Sequence, residues 1–268
     1  MQELPEGVEL IKTHCIASTE DCTRNIVSAY ARKLPECTKQ PFRTGRLAIV
    51  GSAPSVSDYL DEIKACDEIW AVNGSYDWLL SQGIVPHGFL GMDPVPGLAE
   101  YVEGARKETT FYISSVCDPS VFDALEGFRV VVWHTKQEAL CYPDDAVVLC
   151  GGSTCLTRAP FLANLLGWRD IHVFGCDSSY AEDRYVYPSG TYQEDQKRPV
   201  IWIEVDGHAF PTVMGLAQQA TQFCVIHEMF KGQLKFRCGG LTAALLASPI
   251  CDEEQIFKGL SDGTPAAA

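Results

Sequence analysis

Short apolar runs recur along this chain, and the stretches between them carry helical spacing. The runs Leu47–Val50, Glu68–Val72, Gly88–Gly91, Thr110–Ile113, Arg129–Trp133, Val147–Cys150, Ile171–Gly175, Val200–Val205 and Leu234–Arg237 read as strands. A run such as Leu47-Ala48-Ile49-Val50 is apolar at every position, the mark of a strand buried on both faces. Helices are expected over residues 56–65, 75–82, 96–107, 118–126, 154–166 and 211–231. In the first of these, Val56, Leu60 and Ile63 fall on one face. Strand and helix alternate, which predicts an α/β fold: a doubly wound, mostly parallel sheet covered on both sides.

Residues 1–44 follow a different pattern. Asp21 to Leu34 spaces Ile26, Ala29 and Tyr30 as one helical face and stops at Pro35, so residues 1–44 read as an N-terminal helical extension. Residues 45–250 form the main domain. Residues 251–268, ending Gly-Thr-Pro-Ala-Ala-Ala, read as a disordered tail.

In an open parallel sheet, ligands sit beyond the carboxyl ends of the strands. The residues at those exits are therefore the candidate site. They are Gly51, Ser52 and Ser55 after the first strand, Asn73, Gly74 and Ser75 after the second, and Asp93 after the third. Ser153 and Thr154 follow Val147–Cys150. Asp177 follows Ile171–Gly175, with Ser178, Ser179 and Tyr180 behind it. Asp206, Gly207 and His208 follow Val200–Val205. Turns favour Gly, Ser, Asn and Asp for backbone reasons alone, but six small or polar exits on one sheet edge exceed what turns require. The strand-turn-helix around Gly51-Ser52-Ala53-Pro54-Ser55 would present helix N–H groups to an anion. It is neither a full G-x-G-x-x-G fingerprint nor a P-loop, since no Lys follows.

Composition narrows the picture. Net charge is −14, which disfavours a nucleic-acid partner. No apolar run approaches the roughly 20 residues of a membrane span. Met-Gln-Glu-Leu-Pro-Glu lacks the order of a signal peptide, so a cytoplasmic protein is expected. The 12 cysteines are dispersed, with no C-x-x-C pair. They read as free thiols acting as small hydrophobes, Cys150 and Cys224 among them, rather than a disulfide or zinc framework.

The order of motifs resembles a Rossmann-like superfamily. It contains 6-hydroxymethylpterin diphosphokinase-like proteins, Maf flagellin glycosyltransferases and bacterial CMP-sialic-acid sialyltransferases. The resemblance covers roughly residues 46–250. Gly51-Ser52-Ala53-Pro54-Ser55-Val56 is similar to the family opening, and Asn73 to its second-strand Asn. Gly83-Ile84-Val85-Pro86 through Asp93-Pro94 follows the family phrase. So do Ser153-Thr154 through Leu166-Gly167 and Gly175-Cys176-Asp177. Gly207-His208 resembles the sialyltransferase Gly-His before the last long helix. The paired aspartates that would hold magnesium in the diphosphokinases are here Asn73 and a single Asp93. One carboxylate makes a poor dedicated Mg²⁺ cage.

The resemblance implies a transferase with a nucleotide-activated donor. The favoured reaction is glycosyl transfer from a CMP-linked sugar to a hydroxyl acceptor, with no cofactor required. Gly51, Ser52, Ser55, Ser153 and Thr154 would hold phosphate. Asn73, Gly74, Asp93 and Asp177 would complete the nucleotide site. His208 would be the general base, in a loop leading to a helix with Pro211 at its first position. Tyr185 would help the phosphate leave, while Tyr180 is read as packing. Asp177 also has a simpler reading, that of a strand-end carboxylate accepting backbone N–H bonds. Pyrophosphoryl transfer from ATP to a hydroxymethylpterin-like alcohol is the alternative, with Mg²⁺ on Asp93. A non-catalytic nucleotide-binding module is a third. His227 is expected on a helix face as a structural residue, and His14, His87, His134 and His172 have no supporting context.

Overall fold

In the computed structural model, which describes residues 17–136, 140–180 and 200–248, the chain opens with helix α1 (Thr19–Ala31). Strand β1 (Arg46–Val50) then leads through a 3₁₀ turn (Pro54–Tyr59) into α2 (Leu60–Lys64). β2 (Glu68–Val72), α3 (Ser75–Ser81), β3 (Gly88–Gly91), a second 3₁₀ stretch (Pro96–Val102), β4 (Thr110–Ser114) and α4 (Pro119–Ala124) follow. Next come β5 (Arg129–Thr135), β6 (Val148–Leu149), α5 (Cys155–Leu165) and β7 (Asp170–Phe174). The last described elements are β8 (Ile201–Val205), β9 (His208–Thr212), α6 (Met214–Met229), β10 (Leu234–Arg237) and α7 (Gly240–Ala247).

Among the described residues, eight strands form one parallel sheet in the order β10-β7-β1-β2-β3-β4-β5-β6. From β1 the chain steps outward to β6, then returns to the other side of β1 for β7 and β10. The topological switch point therefore lies between β1 and β7, where a doubly wound sheet opens a crevice.

The continuous apolar runs are explained by two cores. Leu47 and Ile49 of β1 face α5 and α6 with Trp70, Leu162, Ala163 and Phe223. Ala48 and Val50 face the opposite layer with Ile63, Tyr76, Leu79 and Phe89. Strand side chains alternate between faces, and here both faces are dry.

The N-terminal extension is tied into the sheet. Asn25 donates to the Val116 carbonyl at 2.9 Å and the Pro94 carbonyl at 3.1 Å. Val132 N–H donates to the Pro35 carbonyl and Cys37 N–H to the Val132 carbonyl, at 2.8 and 2.7 Å. This segment pairs with the part of β5 that the two-residue β6 leaves uncovered, as edges require.

The structure corrects the strand over 200–205 and the helix from 211. Ile201–Val205 does not join the sheet; it pairs antiparallel with His208–Thr212 as a separate hairpin. The turn residues Asp206 and Gly207 have φ of 51° and 80°, so Asp-Gly forms the two-residue turn whose twist suits a hairpin. Pro211 lies inside β9, and α6 starts at Met214. The hairpin buries Ile203 and Val205 against Ala217, Ala220, Leu241 and Leu245. Helix α7 was not expected from sequence. Only the first part of 96–107 is helical, as a 3₁₀ stretch. Cys150 is exposed beyond β6, whereas Cys224 is buried as expected. The described cysteines are free thiols, and no described helix is long and apolar enough to cross a membrane. Residues 251–268 lie outside the described residues.

Candidate site at the sheet switch point

A cavity of about 230 Å³ opens at the switch point. Gly51, Ser52 and Ala53 form one wall, Asn73 and Gly74 a second, and Gly175 to Ser179 a third. Thr154, Cys155 and Leu156 at the start of α5, with Leu216 and Gln219 of α6, Val72 and Tyr101, also line it. Of the expected nucleotide-site residues, Gly51, Ser52, Asn73, Gly74, Thr154 and Asp177 line this cavity. Ser55, Asp93 and Ser153 stand just behind the wall. His208 is not among the lining residues, and Tyr185 lies outside the described residues.

Gly51 allows the two central strand exits to meet. A Cβ there would fall on the Gly175 carbonyl oxygen and within 2.7 Å of Leu156 Cδ2. The first turn, however, uses most of its own N–H groups. Gly51 N–H donates to the Phe174 carbonyl at 2.8 Å, Ala53 to the Gly175 carbonyl at 3.2 Å, and Ser55 to Asp177 Oδ2 at 3.0 Å. Ser52 N–H takes no part in these bonds. This turn is a strand clasp more than a phosphate cradle.

Asp177 has the simpler of its two expected roles. Its carboxylate accepts from Ser55 N–H and Oγ–H and from Gly239 N–H at 2.9 Å. It joins the β1, β7 and β10 exits. Ser153 is likewise engaged: its N–H and hydroxyl donate to Gln222 Oε1 at 2.7 and 3.0 Å. Thr154 caps α5 through a reciprocal pair with Thr157 and accepts from Gln219 Nε2 at 3.1 Å. The N–H groups of Cys155 and Leu156 are left at the helix N-terminus, on the cavity wall, where an anion is favoured.

Asn73 adopts a left-handed backbone at φ 51°, as does Ser178 at 54°. Such conformations in non-glycine residues store strain and cluster at functional sites. Asn73 Nδ2 donates to Asp93 Oδ2 at 3.3 Å. Its Oδ1 is buried with no protein partner, an acceptor held ready for a ligand donor. Burial pushes the Asp93 carboxyl above its ordinary range.

Tyr101 and Gln219 line the cavity and were not expected from sequence. Ser178 and Ser179 had been visible at the β7 exit. Gln219 and Gln222, buried polar positions three residues apart on α6, offered a signal. Tyr101 offered none, because it reaches the site from a 3₁₀ stretch.

The placement of His208 differs from the expected loop. The residue is exposed beside the hairpin turn, with Nδ1 3.2 Å from the Asp206 carbonyl oxygen, and not in a loop leading into α6. His227 sits half-buried on α6 against Phe236, centroids 5.9 Å apart, as a helix-face residue should. His134, which had no context in sequence, is buried and bonded to Ser115 and Glu36 at 2.9 and 3.0 Å.

The residues fit a protein-built magnesium site poorly. Among the described residues, Asp177 is occupied by its three donors, Asp93 stands as a single carboxylate beside Asn73, and no cluster of three His, Cys, Asp or Glu occurs.

The fold and cavity define a doubly wound α/β protein with its candidate site at the sheet's switch point. Residues 20–183 match the family model described as "MptE-like: 6-hydroxymethylpterin diphosphokinase MptE-like", and the chain belongs to that family. No curated protein matches it in sequence. Among solved structures it is similar to the Maf glycosyltransferase from Magnetospirillum magneticum AMB-1, with TM-score 0.61 and 18% identity, covering 82% of this chain and 36% of that one. The chain thus spans about a third of that protein's length. A mammalian sialyltransferase in complex with Gal-beta-1-3GalNAc-ortho-nitrophenol aligns at TM-score 0.36 and 8% identity, over 87% of this chain and 91% of that one.

The raised Asp93 pKa sets a pH dependence. Between the ordinary value of 3.8 and the higher folded value, the native state binds more protons than the unfolded one. Stability therefore falls as pH rises through that window. Asp93→Asn removes this loss and keeps an acceptor for Asn73. It should melt higher than the parent at neutral pH, and the difference should shrink as pH falls toward 3.8. A constant difference across thermal melts from pH 4 to 7 would contradict it.

Proposed function

We propose that the chain transfers a glycosyl group from a nucleoside-monophosphate-linked sugar, CMP-linked by preference, to a hydroxyl acceptor. The observation that carries this reading is the cavity's chemistry. Its described lining holds hydroxyls, amides and helix N–H groups, with no Lys or Arg and no free pair of carboxylates. Such a lining suits one phosphate charge better than the several charges of a triphosphate with its metal. The fold shared with the Maf glycosyltransferase is in keeping with it.

The chemistry follows from placement. The acceptor oxygen attacks the anomeric carbon, and the bond from that carbon to the phosphate oxygen breaks. The electron pair leaves with the phosphate, which the Cys155 and Leu156 N–H groups would stabilise. The unpartnered Asn73 Oδ1 would accept from a ribose hydroxyl or a base amine. The hydroxyl proton goes to a general base. Tyr185 remains the proposed aid to the leaving phosphate. Asp177 and Ser55 would act by holding the strand exits in register, and Ser153 by fixing the entry to α5.

The family description favours a second reading, pyrophosphoryl transfer from ATP to a hydroxymethylpterin-like alcohol. Magnesium separates the two. Glycosyl transfer should survive EDTA. Complete loss, restored by Mg²⁺, would favour the diphosphokinase reading. Nucleotide binding without turnover of either kind would mark a binding module.

Ser52→Trp should fill the cavity. It should abolish the thermal stabilisation by CMP while leaving the ligand-free melt cooperative. Unchanged stabilisation would remove this cavity as the nucleotide site.

Loss of a general base costs about 10²–10⁴-fold in rate. The hairpin position of His208, outside the cavity lining, predicts instead that His208→Ala keeps near-parental turnover at saturating donor. A loss of that size in a folded variant would restore the base role to this imidazole.

A further inference from the structure

A buried cation stands behind the cavity wall. Arg158 lies on α5, four residues after Thr154 caps that helix, and is 4% exposed. Its Nη1 donates to the Leu149 carbonyl at 3.2 Å and its Nη2 to the Lys136 carbonyl at 3.3 Å. Its Nε is buried with no partner. Among the described residues, the titratable groups that act on it are Cys150, Cys155 and Tyr142, with no carboxylate. Leu149 ends β6 and Lys136 follows β5, so the guanidinium lies at the carboxyl edge of the sheet, the edge on which the cavity opens. The chain leaves room for it there: a Cβ on Gly151 would come within 3.0 Å of Arg158 Cγ.

A cation buried in this way costs stability, because two carbonyl dipoles replace the lost water and counter-charge only in part. Burial accordingly pulls the Arg158 pKa below its ordinary value, yet a guanidinium stays charged at neutral pH. An apolar side chain of similar volume would fill the position without that cost. What the charge can act on lies within the same turn. Helix side chains lean toward the N-terminus, which sets the guanidinium alongside the first turn of α5. The Cys155 and Leu156 residues of that turn are on the cavity wall. A positive charge on the order of 10 Å from their N–H groups adds to the helix dipole in the sense that favours an anion.

We propose that Arg158, from behind the α5 N-terminus, supplies the positive charge by which the switch-point cavity selects a phosphorylated ligand over the uncharged nucleoside. The inference rests on the reading of this cavity as a nucleotide site. Arg158 is absent from the lining, which carries no Lys or Arg of its own, so it acts through its field and through the helix turn it flanks. At an effective dielectric constant of about 20, a charge at that distance changes affinity roughly ten-fold per unit of ligand charge. Buried charges are also screened little by salt.

The test measures dissociation constants of the full chain by isothermal titration calorimetry for two pairs, CMP with cytidine and ATP with adenosine. Arg158→Gln removes the charge and keeps a side-chain donor for the Leu149 and Lys136 carbonyls. Arg158→Lys keeps the charge. In the parent, CMP should bind more tightly than cytidine. Arg158→Gln should narrow that gap about ten-fold with cytidine affinity at the parental value, and Arg158→Lys should preserve the gap. A purely structural role would weaken CMP and cytidine together, and that result would overturn the proposal. So would an unchanged gap in Arg158→Gln, or a parent that binds each nucleotide no more tightly than its nucleoside. Arg158→Met is the second neutral variant and should narrow the gap equally; failure of both neutral variants to fold would show a charge held for stability and would also overturn the proposal. If the ATP pair alone shows a gap that depends on Arg158, the CMP-sugar reading fails and the role of Arg158 stands.

Discussion

The close approach of β1 and β7 at their carboxyl ends is the constraint on which the rest of the molecule depends. Gly51 and Gly175 face each other so tightly that a Cβ on either would meet the other's carbonyl oxygen. That approach can exist because the chain winds outward from β1 and returns beside it, leaving the two strands adjacent in space and far apart in sequence. Crossover helices leave from opposite faces at such a point, and a crevice opens between them. The cavity, the α5 N-terminus on its wall and the strained Asn73 and Ser178 all gather there.

Polar side chains keep that crevice open in one geometry. Asp177 links three strand exits through Ser55 and Gly239. Gln222 and Gln219 of α6 hold Ser153 and Thr154, so α6 sets where α5 begins. Gly152 is required beneath this bracket, since a Cβ there would collide with Gln222 Oε1. Residues that look like ligand contacts at strand ends thus divide into two kinds. Asp177, Ser55 and Ser153 have their polar groups engaged by the protein. Asn73 Oδ1, which is buried, and the first N–H groups of α5, on the cavity wall, do not.

Much of the fold was legible in the chain. Parallel strands buried on both faces are written as unbroken apolar runs, and the runs at 47–50, 68–72, 88–91, 110–113, 129–133, 171–175 and 234–237 are all strands of the sheet. The run at 200–205 misled because its apolar count hid its alternation. Trp202 and Glu204 are exposed while Ile203 and Val205 are buried, the pattern of a strand covered on one side. Asp206-Gly207 was read as a strand exit because Asp and Gly also end strands. Only the partner strand, with Pro211 in it, distinguishes the two. His208, expected in a loop leading to the helix, opens β9 instead.

By itself, the sequence determined the alternation of elements, the family to which the chain belongs, and which strand exits carry small or polar residues, because local periodicity and turn chemistry depend on neighbours a few positions away. The tertiary structure decided which exits converge and which polar groups remain free. Asp177 meets Ser55 across 122 positions and Gln222 meets Ser153 across 69, and no local pattern encodes pairings at that range. Whether a carboxylate binds a ligand or the backbone is settled by where its donors stand in space, and those positions follow from the order of strands in the sheet.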